Sequence, residues 1–201
     1  MIELKLADLT ENSTTTSSEE QKMCSLPGYA NVDNAAMADK VADILLSPAG
    51  LGELRKGSAK HFYSDGSFNL IQLILYILNQ TGPAHVFLTS YSISEDSVTV
   101  LRRKVDNGSI LDIKFIIDSR VKSMSPKPFA VLADSFPGCY KCRAIHAKIA
   151  LIYNDEWKVT VIGSQNATKN PKLERGIIHT DETIFDFDYK ILTHEFELAT
   201  T

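Results

Sequence analysis

His146-Ala-Lys148, Gly163-Ser164-Gln165-Asn166 and Glu174 fall within one short stretch, residues 146 to 174. An imidazole two places before a lysine sets a nucleophile or proton carrier beside a fixed positive charge. If Arg143 to Ile152 is a strand, residues of equal parity share a face, and His146 and Lys148 project side by side. A second strand, Trp157 to Ile162, then leads into a turn offering a hydroxyl, a carboxamide and backbone N–H groups. Lys148, Ser164 and Asn166 would grip the non-bridging oxygens of one phosphate. A phosphodiester repels nucleophiles, so an enzyme without a metal must neutralise its oxygens with cations and aligned donors. These residue types suit that work. Taken singly they have plainer roles: a half-buried histidine, an asparagine in a left-handed turn, a glutamate in a surface ion pair.

The segment Ile145 to Ile178 resembles the HxK…GSxN…E signature of the phospholipase D superfamily, especially its single-copy nuclease members. Similarity in the wider sense, including the strand, helix, strand run from Ala84 to Asp118, covers roughly residues 60 to 195. The resemblance implies an α/β fold, an αβα sandwich with a mixed, mostly parallel central sheet, acting as a homodimer. It also implies a mechanism in which His146 attacks phosphorus to form a phosphohistidine while a second histidine protonates the leaving oxygen and then activates water. Lys148 and Asn166, with Ser164 in support, would hold the phosphate, and Glu174 would accept the other imidazole N–H. The implied catalytic set is His146, Lys148, Asn166 and Glu174, with no cofactor and no metal. Of the histidines His61, His85, His146, His179 and His194, only His146 is followed two places on by lysine. One motif per chain therefore calls for a twofold dimer that brings two together. One position departs from the family: the aspartate five residues after the lysine is replaced by Tyr153, with Asp155 two further on.

Charge is uneven along the chain. The net charge is −4, yet residues 139–175 carry seven basic against three acidic residues and residues 176–201 carry one against six. Lys141, Arg143, Lys169, Lys172 and Arg175 flank the motif and are candidates to hold nucleic-acid phosphates on either side of a scissile one. The function expected is hydrolysis of DNA by a metal-independent nuclease. The alternatives are a phospholipid phosphodiesterase or transferase of the same superfamily, and a catalytically silent nucleic-acid-binding module, the latter encouraged only by Tyr153. Cys139-Tyr-Lys-Cys142 with His146 gives an arithmetically conceivable zinc cluster, but it lacks a fourth ligand and would use up the nucleophile. Reduced thiols in a cytoplasmic protein are the simpler expectation. Met1 to Asn12 mixes charged with isolated apolar residues, unlike a signal sequence, and Phe68 to Leu78 is too short to cross a bilayer. No membrane partner is expected.

The elements that must position these residues begin after an N-terminal extension, residues 1–58, ahead of a catalytic domain at 59–201. In the extension Met1 to Leu9 alternates like a strand, Glu11 to Gln21 is a polar linker, and Asp33 to Leu46 has helical spacing ended by Ser47-Pro48. Beyond it, a short strand at His61 to Tyr63 precedes a buried helix at Phe68 to Leu78, capped by Asp65 or Ser67. His85 to Thr89 and Leu111 to Ile117 read as strands, with a helix at Glu95 to Val105 between them and another at Pro128 to Phe136 after them. Gly176 to His179 should be a strand, and Glu182 to Phe196 a final helix started by Thr180 or Asp181.

Overall fold

A computed structural model describes residues 34–47 and 49–200. The strand expected at Met1 to Leu9 and the linker at Glu11 to Gln21 lie outside the described residues. The chain runs α1 (Asn34–Leu46), β1 (Ala59–Ser64), α2 (Leu70–Thr81), β2 (Ala84–Ser90), α3 (Glu95–Asp106), β3 (Ile110–Asp118), α4 (Val121–Met124), α5 (Pro126–Ser135), β4 (Tyr140–Arg143), β5 (Lys148–Tyr153), β6 (Lys158–Gly163), β7 (Glu174–His179) and α6 (Glu182–Leu198). The α2 helix starts two residues later than its sequence suggested. Asn69, rather than Asp65 or Ser67, is its cap, accepting the Ile71 and Gln72 N–H groups while Gln72 returns a bond to the Asn69 backbone.

The seven strands form one sheet in the order β1-β7-β6-β5-β2-β3-β4. Only the β2–β3 and β3–β4 pairs are parallel, and the other four are antiparallel. The expected mostly parallel sheet is therefore mostly antiparallel. The reason lies in the connections: a parallel pair needs a crossover, usually a helix, and helices stop separating the strands after residue 138. β5 and β6 are joined by a tight turn in which Asn154 Oδ1 accepts the Glu156 and Trp157 N–H groups. Such a turn joins only antiparallel neighbours.

The sheet separates two apolar layers. On one face α1, α2, α3 and α5 pack against alternate residues of the strands, among them Val86, Leu88, Ile113, Phe115, Ala150 and Ile152. Ala38, Ala42 and Leu45 bring α1 into this core. The other face carries α6, whose Phe185 and Leu192 cover Phe87, Ile116 and Leu151. Strand period 2 thus sorts each strand's residues between the layers. Gly176 sits where β7 passes under the Phe62 ring. A Cβ there would collide with that ring and meet the Ile162 carbonyl oxygen at 2.9 Å.

Because a backbone oxygen cannot swing aside as a side chain can, Gly176→Ala is expected to cost about 2 kcal/mol and lower the melting temperature by roughly 4–8 °C. Calorimetry of the two proteins checks this; an unchanged midpoint would mean that β6 and β7 separate freely.

Candidate functional site

β2, β3 and β4 end at one edge of the sheet, in Ser90, Asp118 and Arg143. β5 and β7 begin at that edge and β6 and β1 end there, since Lys148 pairs with Gly163, Gly163 with Gly176, and Ser64 with Glu174. The chain between β4 and β5 must therefore cross the ends of β3 and β2, about 14 Å at the usual strand spacing. His146 lies in this crossing and not on a strand, so the parity argument for its placement does not hold. Two pins fix the crossing. Asp118 Oδ2 accepts the Ile145 N–H at 3.1 Å, and Thr89 Oγ1 donates to the Ala147 carbonyl at 3.0 Å. His146 stands between them, exposed.

Lys148 opens β5 directly below. Its side chain is only 7% exposed, and its Nζ donates to the His146 carbonyl at 2.7 Å and lies 3.2 and 3.3 Å from the two imidazole nitrogens. Imidazole and ammonium therefore address one point in space. Burial pushes the lysine's pKa down, and the negative charges of Glu174 and Asp118 hold it up.

The Ser164-to-Glu174 loop closes the other side. Ala167 bridges Ile93 and its N–H goes to Ser90 Oγ at 3.1 Å; Ser90 Oγ also reaches Asn166 Oδ1 at 3.4 Å. The single Ser90 hydroxyl proton goes to the Ser92 carbonyl at 2.6 Å, and Asn166 Nδ2 is a donor for a ligand. Gln165 turns inward and donates to the Phe68 carbonyl, a structural role. Ser164 Oγ and Asn170 Nδ2 both donate to the Glu174 carboxylate. Among the described residues these are the hydrogen-bond partners of Glu174, in place of the imidazole expected for it.

Of the five flanking basic residues, Arg143 pairs with Glu195 of α6 and the Lys141 ammonium lies 5.9 Å over the Phe196 ring. Lys169 and Lys172 are exposed on the loop after β6. Arg175 lies beside His61 and Tyr63 of β1. Tyr153 is packed with His85, Phe185 and Tyr189 at the far end of β5, about 17 Å of strand from Lys148, and burial raises its pKa. The departure from the motif is a packing position and does not touch this edge. Cys139 packs against the larger core and Cys142 is buried, each with its thiol pKa pushed up by burial. Among the described residues no three His, Cys, Asp or Glu side chains gather as metal ligands.

Three residues at this edge went unnoticed in the sequence. Asp118, 1% exposed, takes Arg120 in a two-point ion pair and accepts the Arg120 and Ile145 N–H groups. The Arg120 guanidinium lies 4.7 Å from the Tyr91 ring centre, and that ring packs on His146 with 5.4 Å between centres. A signal existed: ligands gather outside the carboxyl ends of parallel strands, and Asp118 and Ser90-Tyr91 stand at the ends of two.

No protein-family model matches the sequence, and no curated protein is similar to it in sequence. Solved structures do match. Nuc from Salmonella typhimurium, a phospholipase D family member, superposes with a TM-score of 0.53 at 18% identity, over 71% of this chain and 95% of that one. The fold is that of the phospholipase D family. Polyphosphate kinase from Porphyromonas gingivalis matches at a TM-score of 0.50 and 12% identity, over 67% of this chain and 25% of that one. A phospholipase D fold thus accounts for the layered sheet, and the crossing above β2 and β3 is the part of it that presents His146.

Hydrogen bonds from Arg120, outweighing burial, hold the Asp118 carboxyl below the ordinary carboxylate range. A depressed folded pKa contributes stability that is present above about pH 4 and is lost as pH falls through the folded value. Asp118→Asn should therefore lose about 2 kcal/mol at neutral pH and show a flatter acid limb in a pH series of melting curves. A variant with unchanged stability and an unchanged acid limb would show that Asp118 does not hold the crossing.

Proposed function

We propose that the chain is a metal-independent phosphodiesterase that hydrolyses DNA as a homodimer. The observation that carries this is the contact of Lys148 Nζ with both His146 ring nitrogens on the edge that also presents Asn166, Ser164 and Glu174. Lys148 and the Asn166 carboxamide bind the non-bridging oxygens, where their charge and dipole stabilise the transition state. Ser164 joins them once its proton is redirected from Glu174. An imidazole nitrogen of His146 attacks phosphorus, an N–P bond forms, and the P–O bond to the leaving oxygen breaks. The His146 of a second copy donates its proton to that oxygen. It then takes a proton from water, which attacks phosphorus, breaks the N–P bond and releases a phosphomonoester and free His146. Glu174 keeps Lys148 charged against its burial and anchors Ser164 and Asn170.

A second copy is needed because no other histidine of the chain lies at His146. His85 stacks on Tyr153 and His179 ends β7, both at the opposite end of the sheet. His194 is exposed on α6, and His61 lies on β1, three strands from Lys148. The surface that supports a dimer is the outer stripe of α6. Ile184, Phe187, Ile191 and Leu198, spaced three, four and seven apart, are 37%, 66%, 48% and 59% exposed.

Cleavage of labelled DNA in excess EDTA tests this reading. The natural chain should cut, and His146→Ala should lose roughly 10⁴-fold or more in kcat. Phe187→Asp, which leaves His146 untouched, should sediment as a monomer and lose cleavage with it. Cleavage that needs a divalent metal and ignores His146 would contradict the mechanism, and a fully active monomer would contradict the shared site.

A further inference from the structure

On the α6 side of the sheet the helix packs against β6 and β5, and among the described residues His61, Tyr63 and Arg175 at the corner formed by β1 and β7 are exposed. Two rows of side chains cross this corner. In the upper row Tyr63 of β1 pairs with Arg175 of β7, whose N–H bonds Ser164 Oγ at 3.1 Å. In the row below, His61 pairs with Ile177 and Ile177 with Ile162. Tyr63, a large ring on the edge strand β1, is 63% exposed. The Arg175 guanidinium lies between the two rings of β1, 6.0 Å from the Tyr63 centre and with Nη2 3.3 Å from His61 Nδ1. The loop bearing Lys169 and Lys172 is drawn against this corner at Gly66, whose φ of +96° and missing Cβ let Asn170 and Pro171 approach.

We propose that this corner is a shelf for single-stranded nucleic acid leading into the site at Ser164. Tyr63 is its base-stacking platform, and Arg175 and His61 are its backbone phosphate contacts. The proposal rests on the phosphodiesterase reading and adds to it the form of the substrate. Exposed rings on a strand surface, interleaved with cations, stack unpaired bases. In a duplex the base faces are already stacked on one another, so such a ring finds no partner. The polyanion also fits the charge of the row, which carries Arg175 with Lys169 and Lys172 beside it. A twofold contact of two copies centred on the row would set Arg175 against Arg175, which like charges disfavour.

Fluorescence anisotropy on a His146→Ala background, where nothing is cut, compares a labelled oligothymidylate with a duplex of equal length. Tyr63→Ala should weaken oligothymidylate binding by roughly 5- to 100-fold and leave the duplex unchanged, while Tyr63→Phe keeps the natural affinity. Arg175→Gln should lower the salt dependence by the slope of one phosphate contact, about 0.7. Equal loss for both forms, no loss for either, or a change in sedimentation without a change in affinity would overturn the shelf. Binding and cleavage that ignore Tyr63 would sink the shelf alone. Absence of all binding by this background, with no cleavage by the natural chain, would remove the phosphodiesterase reading as well.

Discussion

The site depends on a short chain segment forced to span the ends of two strands. β4 runs beside β3, whereas β5 must insert next to β2, so residues 144–147 have no route except along the edge of the sheet. A segment stretched in this way has few conformations to choose among. The bonds from Asp118 to Ile145 and from Thr89 to Ala147 remove most of those that remain. An exposed histidine is ordinarily free to rotate and costs entropy to position. Here the backbone on either side is already fixed, and Tyr91 packs against the ring. Precision at His146 comes from strand topology and from one buried carboxylate two strands away.

Lys148 supplies the electrostatics. Its ammonium is drawn below the surface, where desolvation works against the charged form, and it is sustained by carbonyl and ring contacts and by two carboxylates at longer range. Between its lowered folded pKa and the ordinary lysine value the unfolded chain binds more protons, so this group alone makes stability rise with pH across that window. The arrangement costs stability and favours an anion. A phosphate placed between Lys148 and Asn166 restores part of the solvation that burial removed. The rest of the edge fits that reading: Ser90 holds the Ala167 N–H next to Asn166, and Glu174 ties the loop through Ser164 and Asn170.

Much of this was legible in the sequence, and the failures have physical causes. Lys148, Ser164, Asn166 and Glu174 reach one edge as their order suggested, because a strand, a turn and a strand can return a chain only to its starting edge. The direction of the sheet was misjudged from the early strand and helix alternation, although the lack of helices between residues 139 and 179 already excluded parallel crossovers. A single strand through His146 was a natural inference from its apolar neighbours, and nothing local announces that the chain must cross β3 and β2 there. Asp118 was silent because one acid after an apolar run looks like the end of a strand. The paired cations of β4 were equally opaque: Arg143 and Lys141 face α6, more than fifty residues downstream, and only the fold brings Glu195 and Phe196 to them.

The central claim is that the imidazole held above Lys148 becomes bonded to phosphorus. It is tested most directly by quenching the reaction into alkali, where the histidine N–P bond survives, and mapping the nucleotide-linked peptide by mass spectrometry. The account predicts a transient covalent link from His146 through phosphorus to one DNA fragment, which disappears as the phosphomonoester product forms and is absent from Lys148→Met. Turnover at full rate with no phosphate on His146 at any time, or with phosphate on another residue, would contradict it.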